Sequence, residues 1–394
     1  MVLLRVTLAF LIMFLLPDLY LYCTYLRNIR KQWIKRLFWI PTILLLFALP
    51  VVLMFHNAYR EITGTFLIIC LCVAIPEIVF TLCSLFIRFC GWVAHRSFIP
   101  YNYLTGKKIE VALCSLASVV SFIYVVFGAV AGKENFQVRE VIFSSSDLPD
   151  SFDGYRILQI SDLHTGSWTG NSEALLKAME LCNGLNPDLA VFTGDLVNNF
   201  ADEVKEFMPV LSQLRAKDGV YSILGNHDYA MYTHWSSEAE YKANMDSLIS
   251  QEGQMGWHML NNDHTIIRRG NDSIALVGVE NSGNPPFPNK GNLPKAMQGT
   301  EGMFKVLLSH DPTHWRREVL PETDIQLMLA GHTHDMQISL FGFSPSRFIY
   351  PEHNGLYLEK RRGLYVNIGL GYVLFPMRLG AWPEITVITL RKSK

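Results

Sequence analysis

The sequence predicts two objects in one chain: a multi-span α-helical membrane domain over residues 1–131 and an α/β domain over 153–394, joined by a linker at 132–152. Half of the 394 residues are hydrophobic, mean hydropathy is +0.19, and the excess lies before residue 132. Four apolar runs there are each long enough to cross a bilayer, which takes about 20 residues. After residue 153, short β-rich runs alternate with helical stretches, the order of an α/β domain.

The four runs fall at about 2–26, 37–56, 62–87 and 109–131, and the second and fourth carry no basic residue. Buried helices of a soluble protein are excluded, because four such stretches leave no amphipathic face to meet water. The first run has an early Arg5 but no small-residue cleavage site, and it continues through Tyr20, Tyr22 and Tyr25. It therefore reads as a retained span rather than a signal peptide. Asp18 and Glu77 stand beside Pro17 and Pro76, and a carboxylate in hydrocarbon is costly. They serve either as contacts for a substrate or head group, or as inter-helix partners and neutral carboxyls at kinks; the second reading is preferred. The stretch 88–106, with Trp92, His95, Arg96, Phe98, Tyr101 and Tyr103, suits the head-group layer.

Charge placement sets an orientation. Arg27, Arg30, Lys31, Lys35 and Arg36 follow the first run, and Arg88, Arg96, Lys107 and Lys108 follow the third, whereas the link near 57–61 has only Arg60, offset by Glu61. The positive-inside rule puts both basic links in the cytoplasm and the α/β domain on the far side. The expectation is a multi-pass protein of a bacterial inner (cell) membrane with an extracytoplasmic domain, against which only Arg5 and Lys133 weigh.

The linker is polar around Ser144-Ser145-Ser146-Asp147, and the residues after it are ample for one two-layered core. Helices are expected at about 171–184, 200–214 and 235–251, with a last strand near 384–391. Residues 280–302, rich in Gly, Pro and Asn, read as a long loop. Residues 341–363 combine Phe341, Phe343, Phe348, Ile349 and Tyr350 with Arg347, Lys360, Arg361 and Arg362. That mixture either meets anionic lipid or a lipid phosphate, or forms a partly packed surface hairpin.

Five apolar runs each stop at a metal-type ligand. Residues 155–160 lead into Asp162 and His164, 188–192 into Gly194-Asp195, and 220–224 into Gly225-Asn226-His227-Asp228. Residues 305–309 lead into His310-Asp311, and 325–330 into Gly331-His332-Thr333-His334. Ligands in α/β sheets collect at the carboxyl ends of strands, so these residues are expected in one crevice. Asp162, Asp195, Asn226, His164, His310, His332 and His334 offer imidazole and oxygen without thiolate, which suits Mn²⁺, Fe or Zn²⁺. Seven ligands are too many for one tetrahedral ion. They fit two ions about 3.5–4 Å apart, a pair that clamps a phosphoryl group and activates water for in-line attack on phosphorus.

In order and spacing these blocks resemble the calcineurin-like metallophosphoesterase superfamily, over roughly residues 153–390. Its membrane-associated bacterial YkuE and YaeI type phosphodiesterase branch is the nearest in look, through Tyr365-Val366-Asn367-Ile368-Gly369-Leu370-Gly371, Pro376-Met377-Arg378-Leu379 and Pro383-Glu384-Ile385. The resemblance implies a β-sandwich flanked by helices. It implies that Asp162, His164 and His334 hold one divalent ion, that Asn226, His310 and His332 hold the other, and that Asp195 bridges them. It implies that His227 is not a ligand but gives a proton to the leaving oxygen or steadies the transition state, a task that suits an imidazole. Asp228 is a candidate to orient it. Many relatives follow the last His with Gly-Gly-Gln where this chain has Asp335-Met336-Gln337, which alters the neighbouring substrate loop.

His234, His258, His264, His314 and His353 have no motif around them, and Asp311 reads as a backbone hydrogen-bond acceptor. Six of the seven cysteines lie in the membrane part, and Cys182 alone cannot form an internal disulfide. A net charge of −1 without a basic tract argues against nucleic acid and leaves a lipid bilayer and a phosphoester substrate as partners. The expected function is a membrane-anchored, two-metal phosphoesterase, with Mn²⁺ first among the candidate ions. It hydrolyses a phosphodiester or pyrophosphate bond, in a lipid or lipid-linked substrate, by metal-activated water. One alternative is a non-catalytic sensor of a phosphorylated ligand. Another is hydrolysis of the pyrophosphate of a UDP-linked diacylated glucosamine, which needs a cytoplasmic site and so runs against the charge pattern.

Overall fold

The computed structural model describes residues 2–55, 60–96 and 103–393. It divides into two compact units, Met1–Val130 with Leu374–Met377, and Ala131–Val373 with Arg378–Lys394.

The first unit is helical: α1 (Val2–Leu21, continued by a π turn Tyr22–Leu26), α2 (Gln32–Phe55), α3 (Arg60–Arg96) and α4 (Tyr103–Val130). Pro17, Pro41, Pro50 and Pro76 lie inside these helices, as membrane helices tolerate where neighbouring helices, Ser/Thr side chains or local changes of helical pitch re-satisfy the freed backbone groups. Gln32–Met54, Ile62–Ala94 and Gly106–Val130 are long and apolar enough to cross a membrane, whereas Phe10–Leu26 is a shorter apolar stretch. Within the expected interfacial segment, α3 continues as helix through residues 88–96, where Phe89, Trp92 and Val93 are exposed apolar residues. Phe98, Tyr101 and the link around 57–59 lie outside the described residues.

The helices meet through an apolar seam of Phe14, Leu45, Leu49, Phe66, Cys70 and Ala74, while Phe47, Met54 and Phe86 point outward, exposed. Polar groups are paired across helices. Thr42 Oγ1 donates to the fully buried Asp18 Oδ2 at 2.6 Å. Glu110 Oε1 collects the Tyr25 hydroxyl, the Ser84 hydroxyl at 2.7 Å and Arg88 Nε at 2.7 Å.

The second unit is a sandwich of two six-stranded sheets. One runs β1 (Gln137–Ser145), β12 (Glu384–Lys392), β2 (Arg156–Ile160), β3 (Leu189–Phe192), β4 (Val220–Ser222), β5 (Trp257–Met259). The other runs β10 (Gly355–Glu359), β11 (Arg362–Val366), β9 (Leu327–Ala330), β8 (Phe304–Leu308), β7 (Asp272–Gly278), β6 (Asp263–Arg269). Ile157, Val191, Leu276, Val306, Leu329 and Ile388 fill the interior between the sheets. Helix α5 (Ser172–Gly184) covers one outer face through Leu175, Met179 and Cys182, and Trp315 and Val319 cover the other. All five runs that stop at ligand-type residues are strands.

Two expectations are corrected here. The segment 132–152 is not a free linker, because β1 within it pairs in parallel with β12 from Gln137↔Glu384 to Ser145↔Lys392. Only its Phe143 and Ser145 are buried, and a strand apolar on so little of its length reads as polar sequence. The helix expected at 200–214 is a 3₁₀ turn, Ala201–Val204, and a single helical turn, Met208–Leu211. Pro209 sits in the first turn of the second piece, where its missing N–H costs no intrahelical bond.

Candidate metal centre

β2, β3 and β4 run parallel in one sheet, as do β8 and β9 in the other, so their carboxyl ends deliver the ligand-type residues to one crevice. The turns there are sharp. Asp162, His164, Asp195, His332 and His334 all have positive φ, between 48° and 77°, a conformation that costs an L-residue on the order of 1–3 kcal/mol and clusters at functional sites. Two glycines make the close approach feasible. A Cβ on Gly225 would strike the Asp195 carboxylate, and one on Gly331 would strike Ser161 Oγ and Asp162 Oδ2. Backbone bonds stitch the turns together: Asp162 N to Gly194 O at 2.9 Å, His164 N to Asp195 O at 3.1 Å, and Gly331 N to His310 O at 2.9 Å.

The seven residues singled out in the sequence lie together in two overlapping groups. In the first, His164 Nε2 is 3.0 Å from His334 Nε2, His334 Nε2 is 3.2 Å from Asp162 Oδ1, and His164 Nε2 is 3.8 Å from Asp195 Oδ2. In the second, His310 Nε2 is 3.1 Å from both Asp195 Oδ2 and Asn226 Oδ1, and His332 Nδ1 is 2.7 Å from Asn226 Oδ1. Asp195 belongs to both. Asp162–His164–His334 and Asp195–His310–His332 are each compact enough to hold a metal ion.

The donor set fits a cation. Carbonyl-type oxygens fix the outer ring nitrogens: His310 Nδ1 donates to Thr193 O at 2.7 Å, and His164 Nδ1 to Asn198 Oδ1 at 3.1 Å. In the neutral rings the inner Nε2 atoms then present lone pairs, and they face a carboxylate oxygen, an amide oxygen and another imidazole. Asn226 Nδ2 is turned away, donating to Tyr232 Oη at 2.8 Å, which aims its oxygen inward too. Acceptors crowded together in a buried space are costly unless positive charge lies among them, a charge that either a proton on His310 or a divalent ion would supply. His334 is held differently: Arg378 Nη2 lies 3.0 Å from its Nδ1, and Arg378 Nη1 donates to its carbonyl at 3.0 Å. Arg378 is itself fully buried among the carbonyls of Gly369, Gly371 and Ala381.

Burial lowers the pKa of His164, His332 and His334, which keeps these rings in the neutral form a metal requires. Burial acts on His310 in the same sense, but the charge and hydrogen bond of Asp195 outweigh it and raise the ring to about 10. Burial alone would raise Asp162 and Asp195; the facing imidazoles, His334 for the first and His310 for the second, overcome it and hold both carboxyls below their ordinary value.

His227 stands beside this cluster, half-buried, its ring edge-on to His164 at 4.7 Å and tilted against Tyr232 at 4.5 Å. Its Nδ1 donates to Asn198 O at 3.0 Å and its backbone N to Asp195 Oδ1 at 2.8 Å. Asp228 does not orient it, contrary to expectation. That carboxylate instead accepts the backbone N–H groups of Asp195, Leu196, Val197 and Gly225 at 2.8–3.2 Å, bracing the turns that carry Asp195 and Asn226. Asp311 Oδ1 accepts Thr313 N at 2.8 Å. His314 is buried, with Nδ1 2.9 Å from Ser309 Oγ and Nε2 2.9 Å from Glu318 Oε2, away from the ligand-type cluster.

Three residues at the site were not singled out for these roles: Asn198, which serves both His164 and His227; Tyr232; and Tyr350, whose Oη is 2.9 Å from His332 Nε2. Asn198 follows Gly194-Asp195 closely enough for motif reading to find it, whereas Tyr350 is brought in by tertiary closure. The departure at Asp335-Met336-Gln337 has a visible consequence. All three have positive φ, 48°, 49° and 61°, where glycines would sit without strain.

The calcineurin-like phosphoesterase family matches residues 155–336. A second family, described as "Probable Calcineurin-like phosphoesterase, transmembrane domain", matches residues 4–133. The chain is similar to the transmembrane protein with metallophosphoesterase domain of Danio rerio, 31% identical over 71% of this chain and 62% of that protein. It is 32% identical to the metallophosphoesterase YkuE of Bacillus subtilis, over 65% of this chain and 86% of that one. The protein of Bos taurus with the same description as the zebrafish one is 31% identical over 71% of this chain and 62% of its own length. The chain thus spans less than two thirds of the two vertebrate relatives.

Proposed function

Because this chain belongs to the calcineurin-like phosphoesterase family and carries that family's transmembrane domain as well, we propose that it is a membrane-anchored two-metal phosphoesterase, hydrolysing a phosphodiester or pyrophosphate bond in a lipid or lipid-linked substrate. The observation that carries the reading is the convergence of Asp162, His164, Asp195, Asn226, His310, His332 and His334 in one buried crevice. Asp162, His164 and His334 would hold one ion, Asn226, His310 and His332 the other, with Asp195 shared. Mn²⁺ is the first choice, with Fe or Zn²⁺ compatible with the same donors. Two divalent ions there supply the charge that activates water and offsets the phosphoryl oxygens.

The chain's own residues do the rest. Asn198 fixes the tautomers of His164 and His227 together, since its side chain takes one Nδ1 proton and its carbonyl the other. In the imidazolium form, where both ring nitrogens carry protons, His227 Nε2 is then the atom that passes its proton to the leaving oxygen. Asp228 holds the backbone under Asp195 and Asn226. Residues 1–131 anchor the enzyme and 153–394 carry the chemistry. The basic links of the helical unit favour a catalytic domain facing away from the cytoplasm, as in a bacterial inner membrane, although Arg88 is engaged with Glu110 at 2.7 Å.

The test is hydrolysis of chromogenic phosphodiester and monoester substrates by the detergent-purified chain, with added Mn²⁺ and after chelation, beside metal content. Chelator-sensitive cleavage that vanishes in Asp195→Asn supports the reading. Metal bound without turnover of chromogenic or lipid phosphoesters would favour the sensor. No metal and no turnover would overturn both.

A further inference from the structure

We propose that residues 340–350 form a membrane-docking loop whose apolar tip enters the lipid head-group layer beside the crevice. Leu340, Phe341, Phe343, Phe348 and Ile349 are all exposed, five large apolar side chains within ten residues. Other exposed apolar residues of the catalytic unit, such as Leu181, Ile249 and Leu358, are scattered over it, as is ordinary for a protein surface.

The tip is built, not frayed. Leu340 and Phe343 exchange both backbone hydrogen bonds at 2.9 Å, closing a two-residue turn. Its central positions, Phe341 and Gly342, have φ of 53° and 79°. Such turns take Asn, Asp or Gly at both positions. Here a phenylalanine occupies the first, at 109% relative exposure, in a backbone conformation that bulky residues avoid. Strain and full exposure together leave the ring no role in the folded core. Below the turn Ser344 Oγ donates to Asp335 O at 2.7 Å and accepts Ser346 N at 3.1 Å, which holds the loop upright. Phe348, 78% exposed, stacks edge-on to Phe343 at 5.7 Å.

The occupant is a lipid surface. Arg347 lies over the Phe343 ring at 5.4 Å and makes no ion pair among the described residues, so the rings carry one uncompensated cation. Aromatic rings with a cation at their base match the apolar-to-anionic gradient of a head-group layer. A bilayer is also always at hand: α4 ends at Val130, and the catalytic unit begins at Ala131 without a spacer. The same loop ends at Tyr350, whose hydroxyl is 2.9 Å from His332 Nε2. Lipid contact at its tip therefore lies within ten residues of the candidate metal centre, the placement needed to receive a phosphoester at the bilayer surface.

The experiment places p-benzoylphenylalanine at Phe341 and, separately, at Phe348 in the full chain, reconstituted in nanodiscs of mixed zwitterionic and anionic phospholipid. After irradiation, mass spectrometry identifies what is joined to each position, with the same residue at Leu181 as reference. Phospholipid adducts are expected at 341 and 348, about tenfold above Leu181, the occupancy that burying one phenyl ring supports. A cross-link to a second copy, a cross-link within the chain, or adducts no more frequent than at Leu181 would overturn the proposal. The readout needs neither metal nor turnover, so its failure leaves the phosphoesterase reading intact, and the reverse holds.

Discussion

In the helical unit the Glu110 carboxylate is surrounded by donors: the Tyr25 and Ser84 hydroxyls and the Arg88 guanidinium all point at one oxygen. In the crevice of the sandwich imidazoles stand where the fixed donors stood. Asp195 Oδ2 and Asn226 Oδ1 face His310 Nε2, whose ring gives its other proton to Thr193 O. Both sites bury carboxyl oxygens, yet the first is matched by groups that keep their protons and the second by rings that can exchange a proton for a metal ion. A buried acid is therefore a poor sign of function by itself. What separates architecture from a binding site is whether the neighbours can only donate or can also accept.

The first site is broken by removing its acid. Glu110→Ala takes the shared acceptor from the Tyr25 and Ser84 hydroxyls and from the exposed Arg88 guanidinium, a loss of about 1–3 kcal/mol. Unfolding of the helical unit in mixed detergent, followed by circular dichroism, should show that loss, with metal-dependent hydrolysis retained wherever the chain stays folded. The crevice should respond in the other direction, since its imidazoles can exchange their protons for a divalent ion. Divalent metal at a thousand times its Kd should stabilise the catalytic unit by about 4 kcal/mol. A thermal melt with and without Mn²⁺ reads this directly. The shift should shrink strongly in Asp195→Asn, because both groups share that carboxylate.

The crevice was legible in the sequence because each of its parts is local. An apolar strand, a glycine or a sharp turn, and a ligand-type residue follow one another within a few positions, five times over. Contacts made by closure of the sandwich were not legible. Tyr350 reaches a histidine 18 positions before it, and Arg378 packs on one 44 positions before it, with no periodicity to announce either. Glu110 was hidden for a different reason. It is the second residue of the apolar run 109–131, just after Lys107 and Lys108, while its partner in space is Arg88, on the preceding helix. β1 escaped because only Phe143 and Ser145 of its nine residues are buried, too few to break the look of a polar linker.

A third carboxyl sharpens the contrast, since it has neither a donor cage nor a cation site. Glu252, on the helix Glu238–Gln254, is fully buried. Burial first, and the Asp228 charge second, push it up to about 8 against the Ser222 hydroxyl. A folded pKa above the unfolded one means that the native state keeps a proton the unfolded chain has released. Stability from this group is therefore full below about pH 4.3 and falls as pH rises toward 8. Glu252→Gln keeps the neutral shape at every pH. Its stability advantage should grow by about 3–4 kcal/mol between pH 5 and pH 8, measured by denaturant unfolding across that range. A pH-independent difference between the two proteins would mean that the carboxyl ionises inside the fold without penalty.

The smallest expected effect lies at the rim of the crevice, where one histidine is steadied from outside the ligand set. His332 presents Nδ1 to Asn226 Oδ1 at 2.7 Å and Nε2 to Tyr350 Oη at 2.9 Å, with Asp311 Oδ2 further off at 3.9 Å. The tyrosine hydroxyl thus helps to select the ring orientation that aims Nδ1 inward, and losing such an outer partner typically weakens metal affinity 10–100-fold. Tyr350→Phe should fall at the low end, about tenfold or ~1.4 kcal/mol, because Asp311 remains as a second acceptor for the Nε2 proton. Calorimetric Mn²⁺ titration should show one of the two ions losing affinity while the other is unchanged, since His332 belongs to only one of the two groups. Equal losses at both ions would instead place Tyr350 among the residues that shape the whole crevice, and the division into two groups sharing Asp195 would no longer describe it.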